Sequence, residues 1–79
     1  MYNVYVLRDS TGRQYVGMTV DLNRRLQEHQ RGKTRTTMSM RGLIVIHAET
    51  FTTRSEARER EKYLKTAAGR RFRKNLHLI

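Results

Sequence analysis

Seventy-nine residues suit one small core and not two, because a chain this short buries only about 60% of the surface its unfolded form exposes; a single domain over 1–79 is expected. The longest mostly apolar run, Leu43 to Ala48, falls far short of the roughly 20 residues that cross a bilayer, and no secretory leader is legible, so a cytoplasmic chain without a membrane partner is expected. Cysteine is absent, which excludes disulfides and thiolate chemistry, while 17 Lys and Arg against 7 Asp and Glu leave a net charge of +10.

Tyr2, Val4 and Val6 alternate with Asn3, Tyr5 and Leu7, the period of two that marks a strand. Asp9-Ser10-Thr11-Gly12 supplies turn chemistry before a second short strand, Arg13 to Gly17, so the chain opens with a hairpin. Thr19 or Asp21 can cap a helix in which Leu22, Leu26 and His29 recur at helical spacing, with Gly32 where it would stop. Leu43 to Ala48, rich in Ile and Val, reads as a third and more central strand. Thr53, three residues before Glu56, forms a capping-box pattern that opens a second helix running to about Ala68. Gly69 would end that helix, and Arg70 to Leu76 would add a short third. The order ββαβα(α) predicts an α/β fold: a three-stranded, mainly antiparallel sheet flanked by helices.

Arginine supplies 13 of the 17 basic residues, and its planar fork of donors matches phosphate oxygens. Two stretches carry cations with no intervening acid: Arg31, Lys33, Arg35 and Arg41, then Lys62, Lys65, Arg70, Arg71, Arg73 and Lys74. With Arg24 on the first helix, these are candidate contacts to a nucleic-acid backbone, the alternative being a merely solvated basic face.

Three positions ask for chemistry. On the second helix a 3.6-residue turn places Ala57, Glu61, Leu64 and Ala68 within about 40° of one another, so Glu61 lies on the apolar stripe and needs compensation. A buried ion pair with one of the many arginines, a helix rotated enough to expose the carboxylate, or a divalent cation would supply it. On the first helix, Arg25 and His29 sit one turn apart beside the apolar stripe. Tyr5 and Tyr15 flank the hairpin, and Gly17 leaves room for close approach of a ligand or another backbone.

Asn3-Val4-Tyr5, the step of ten residues to Tyr15-Val16-Gly17, then Asp21-Leu22-Asn23-Arg24-Arg25-Leu26-Gln27-Glu28-His29, and later Ser55 to Lys65 resemble the GIY-YIG nuclease domain over nearly the whole chain. The likeness is closest to small stand-alone members, which are similar to the N-terminal nuclease domain of the excinuclease and to structure-specific and homing endonucleases. Two positions depart from the motif: Asn3 stands for its first glycine and Val16 for its second isoleucine.

The resemblance implies that Tyr5 and Tyr15 line an active site, that Arg25 contacts the scissile phosphate, that His29 assists proton transfer or orientation, and that Glu61 binds the metal. Which of Tyr5, Tyr15 and His29 would serve as general base stays open. With Glu61 the evident acid for the site, one divalent cation, Mg²⁺ or Mn²⁺, is expected. The implied activity is metal-dependent hydrolysis of phosphodiesters in DNA. Basic stretches encode no base sequence, so recognition of branched or damaged DNA, or a protein partner that supplies specificity, is expected. The alternative is a non-catalytic DNA- or RNA-binding module that keeps the fold.

Overall fold

The computed structural model describes residues 1–32 and 40–76. Its order is β1 (Tyr2–Arg8), β2 (Gln14–Thr19), α1 (Leu22–Gln30), β3 (Ile44–Phe51), α2 (Arg54–Leu64) and α3 (Ala67–Lys74). The strands form one antiparallel sheet, as the sequence predicts, and its order is β2-β1-β3. No helix among the described residues is long and apolar enough to cross a membrane.

The central strand is β1, not the Ile- and Val-rich β3. Val4, Tyr5, Val6 and Leu7 are all buried, because both faces of β1 are covered. Val4 and Val6 join Val16, Ala57 and Leu64 under α2, whereas Tyr5 and Leu7 join Leu43 and the flanking Leu22 and Leu26 under α1. β3 lies at an edge with Ile44 exposed, and a bulge opposite Val6 and Leu7 shifts its register. Its apolar residues misled because a strand buried on both faces can hide two tyrosines as readily as valines. Asn3 sits in regular strand geometry, paired with Thr19 and Thr50, so the missing motif glycine leaves the backbone undisturbed.

The hairpin turn is built around Asp9, whose buried carboxylate accepts from Thr11 N and Oγ1 and from Arg13 N and Nε at 2.7–3.0 Å. Burial by itself would raise its pKa, but those four donors outweigh it and hold the carboxyl down at about 2. Asp21, rather than Thr19, caps α1 by accepting from Arg24 N at 3.1 Å. At the start of α2 both halves of the Thr53–Glu56 capping box are present.

α2 ends at Leu64 with Lys65 as its cap, and Thr66 starts α3 by accepting from Gly69 N at 3.2 Å. The expected run to Ala68 is therefore cut short by a second capping residue. Gly69 does not end a helix: it lies inside α3, fully packed against the end of α2. A Cβ there would collide with the Tyr63 carbonyl oxygen and come 2.5 Å from Leu64 Cα. A glycine serving only as a stop would gain up to about 1 kcal/mol from alanine inside a helix. Gly69→Ala should instead destabilise by roughly 1–3 kcal/mol through overpacking, read from the urea midpoint.

Candidate active site

Four of the five side chains expected at the site meet on the α1 face of the sheet. Cross-strand pairing sets Tyr5 opposite Gly17 and Leu7 opposite Tyr15, so Tyr5, Tyr15 and Gly17 share one face. What approaches Gly17 is neither ligand nor backbone but the two phenol rings. A Cβ there would strike the Tyr5 hydroxyl, lie 2.6 Å from Tyr5 Cζ and lie 2.9 Å from Tyr15 Cε1. From α1, His29 faces the same surface with its Nε2 2.9 Å from the Tyr5 hydroxyl. Ring centroids stand 6.3 Å apart for Tyr5 and Tyr15, and 4.7 Å for Tyr15 and His29.

Burial is the main force on these groups. Tyr5 and His29 are each about 1% exposed, whereas Tyr15 is half-buried and the Arg25 side chain is 36% exposed at the rim. Burial pushes the Tyr5 phenol up to about 12 against a lowering hydrogen bond from Arg25, and the charges of Tyr15 and Glu61 push it further up. Burial, then the Arg25 charge, holds the His29 imidazole below its ordinary 6.5, with Glu28 opposing. At neutral pH the pair is thus a protonated phenol and a neutral imidazole. The Tyr5 hydroxyl and His29 Nε2 share this hydrogen bond, and a protonated phenol can donate it to the neutral ring nitrogen.

Glu28, which has no evident role from its position in the sequence, braces the cations of this helix. Its carboxylate lies 3.0 Å from Arg25 Nη1 and 3.5 Å from Arg24 Nε, and the Glu28 bond is the first cause that keeps Arg25 firmly charged. The signal was present in the i, i+3 and i, i+4 spacing from Arg25 and Arg24.

Glu61 arrives from the other side. α2 packs Ala57 and Leu64 against Val4 and Val6, on the face opposite the phenols, and Glu61 between them keeps only 13% of its side chain exposed. Its charge still acts on the Tyr5 phenol. Its partners are Lys65 Nζ at 3.1 Å and Arg58 Nη1 at 3.9 Å, both on its own helix and both more than half exposed. Compensation by an ion pair is therefore realised, with a lysine closest. Pairs to such exposed cations contribute only about 0–1 kcal/mol and exchange readily. Among the described residues no three acids or histidines cluster to cage a metal. A single accessible carboxylate fits one hard cation whose other positions are filled by water and phosphate oxygens.

The basic residues expected to track a backbone do not form one surface. Arg70, Arg73 and Lys74 line a recess together with Arg8 and Gln14, whereas Arg71 is exposed on α3 outside it. Arg24 borders a separate recess with Arg25 and Asp21, Arg31 caps α1, and Arg41 lines another with Gln30 and Met40. Lys33 and Arg35 lie outside the described residues.

Comparison with known proteins follows the same lines. A family model described as the GIY-YIG catalytic domain matches residues 1–75. A UPF0213 protein of Halobacterium salinarum is 38% identical over 66 residues, covering 82% of this chain and 86% of the relative. One from Staphylococcus epidermidis is 38% identical over 64 residues, covering 80% and 78%. The solution NMR structure of the UPF0213 protein BH0048 from Bacillus halodurans superposes with a TM-score of 0.55 at 27% identity, covering 90% of this chain and 80% of that one.

Two measurements check this geometry. Since the folded His29 pKa lies below the ordinary 6.5, its neutral form stabilises the fold fully above that value. That contribution is lost as pH falls through the folded pKa. The urea midpoint should drop on acidification from about pH 8 to about pH 5, and His29→Gln should flatten that limb. Gly17→Ala should displace the Tyr5 ring at a cost of roughly 1–3 kcal/mol. With the Tyr5 bond broken and the pocket loosened, the His29 imidazole should titrate closer to 6.5 by NMR.

Proposed function

The chain belongs to the GIY-YIG catalytic domain family, a nuclease family, and from that premise we propose that it is a metal-dependent endonuclease hydrolysing phosphodiester bonds in DNA. The observation that carries this reading is the meeting of Tyr5, Tyr15, Arg25 and His29 on the α1 face of the sheet, with Arg25 at its exposed margin.

Hydrolysis needs a deprotonated water, stabilisation of charge on the non-bridging oxygens, and help for the leaving oxygen. Arg25, permanently charged and partly exposed, suits the phosphate oxygens, and Glu28 and the two phenols hold its fork in place. Tyr5 cannot be an anion at neutral pH on its own, with a pKa of about 12. Its hydroxyl, however, already shares a hydrogen bond with a neutral His29. As the phenol oxygen takes a proton from water it can pass its own to Nε2, so the two act as one relay without a standing phenolate. Tyr15, less buried and tilted against the imidazole, is placed to meet the incoming phosphate or water first. Glu61 would hold the single Mg²⁺ or Mn²⁺ expected of such a site. When bound, that cation supplies charge neutralisation at the phosphate and the leaving oxygen.

Cations that meet a phosphate backbone position a strand without reading its bases, so branched or damaged DNA, and a role in DNA repair, are the proposed substrate and setting. A nicking assay on supercoiled plasmid and branched DNA with Mg²⁺ or Mn²⁺ tests the reading. Arg25→Ala and Glu61→Gln should each lower cleavage by about 10²–10³-fold, with Glu61→Gln leaving DNA affinity within a few-fold. Cleavage that survives both substitutions would sink the site assignment. Binding without cleavage under every metal condition would make the protein a non-catalytic nucleic-acid module.

A further inference from the structure

Four of the cations that the catalytic reading leaves over meet in one place. Arg8 at the end of β1, Gln14 at the start of β2, and Arg70, Arg73 and Lys74 of α3 line a recess of about 430 Å³. A neighbouring recess of about 470 Å³ shares Gln14, Arg70 and Arg73 with it and reaches Tyr15 and Lys65. The two make one groove that ends at the candidate active site.

No carboxylate side chain lines this groove among the described residues. Each of the chain's 7 acids is engaged elsewhere. Asp9 serves the turn, Asp21 and Glu56 cap helices, and Glu28 holds Arg24 and Arg25. Glu49 takes His47 and Arg60, Glu61 takes Lys65 and Arg58, and Glu59 borders Arg54 and Ser55. Arg8, Arg70 and Lys74 therefore stand together with no acid partner among the described residues.

Part of the groove is also built rather than merely charged. Arg73 donates from Nε to the Leu64 carbonyl at 2.9 Å and from Nη1 to Gln14 Oε1 at 3.0 Å, while Gln14 Nε2 donates back to the Arg73 carbonyl at 3.2 Å. Burial, followed by repulsion from Arg70, lowers the Arg73 pKa, which marks positive potential that the protein itself leaves unrelieved. The helix dipole accounts for cations in the last turn of α3, but not for Arg8, which comes from a strand.

We infer that the groove between β2 and α3 binds a non-scissile backbone phosphate of the substrate strand and so aligns that strand with Tyr15 and Arg25. The inference rests on the nucleic-acid reading of the site, but it concerns binding and not chemistry.

Anisotropy of a fluorescent DNA duplex, measured in EDTA across a salt series, tests it. The double variant Arg70→Gln with Lys74→Gln should weaken binding about tenfold and reduce the slope of log affinity against log salt by about 0.9, the share of one duplex phosphate. A control pair of equal charge on α2, Arg54→Gln with Arg58→Gln, should weaken it less than about threefold. Arg8→Gln gives the same reading from β1 if the helix variant fails to fold, with a slope loss of about 0.7–0.9. Equal losses from the groove pair and the control pair would overturn the inference, because net charge alone would then explain binding. DNA binding that depends on the groove in a protein that never cleaves would sink the nuclease reading and uphold the groove. Cleavage by the unaltered protein, with groove variants unchanged in affinity and KM, would sink the groove alone. A protein that binds no DNA would overturn both.

Discussion

The candidate site depends on one cross-strand pair. Tyr5 stands in the middle strand of the sheet, opposite a glycine whose missing side chain gives its phenol somewhere to lie. That burial leaves the phenol hydroxyl needing a partner, since a buried hydroxyl without one costs roughly 1–3 kcal/mol. His29 supplies it from α1. The same burial that keeps the phenol protonated keeps the imidazole neutral. Geometry and protonation state therefore have a common origin in the packing of β1.

Charge is distributed by a different constraint. With 17 basic residues and 7 acids, carboxylates are few and each has many cations competing for it. Most of the acids fix backbone or orient a cation: Asp9 closes the hairpin, Glu28 holds Arg25, and Glu49 takes Arg60 while Arg60 lies over the Tyr63 and Phe72 rings. Glu61 differs because its partners are exposed ends of long side chains on its own helix. A carboxylate held so loosely on the α2 face of the sheet is open to a change of partner.

Local signals in the sequence proved legible where the physics is local. The hairpin turn at Asp9, the capping box at Thr53 and the antiparallel ββα opening rest on residues a few positions apart, and all are present. Tertiary facts were harder. The apolar content of Leu43 to Ala48 could not say that β3 would lie at an edge, because strand order is decided by which faces the helices cover. Gly69 looked like a stop because a glycine near a helix end usually is one; only the approach of Leu64 to its Cα reveals a packing role. For the site, spacing set Arg25 beside His29 and Tyr5 and Tyr15 about the hairpin, and only the family resemblance joined the two pairs. Residue types and spacing held no sign that Arg8 and Gln14 would meet α3, since that contact spans 59 residues in the Gln14–Arg73 bonds.

The position of β2 explains how so few residues can serve a site of this kind. An interior strand would separate the two faces of the sheet, and groups on α1 and α2 would never share a substrate. β2 is an edge strand, so its outer rim is open to both layers. Arg25 is exposed on one face, with His29 buried behind Tyr15, and Lys65, paired with Glu61, borders Tyr15 from the other. A bound strand lying along β2 would touch both sets at once without either helix moving. The edge, normally a liability that invites unwanted strand pairing, is here guarded by cations that repel a second copy of the same basic chain while attracting a polyanion.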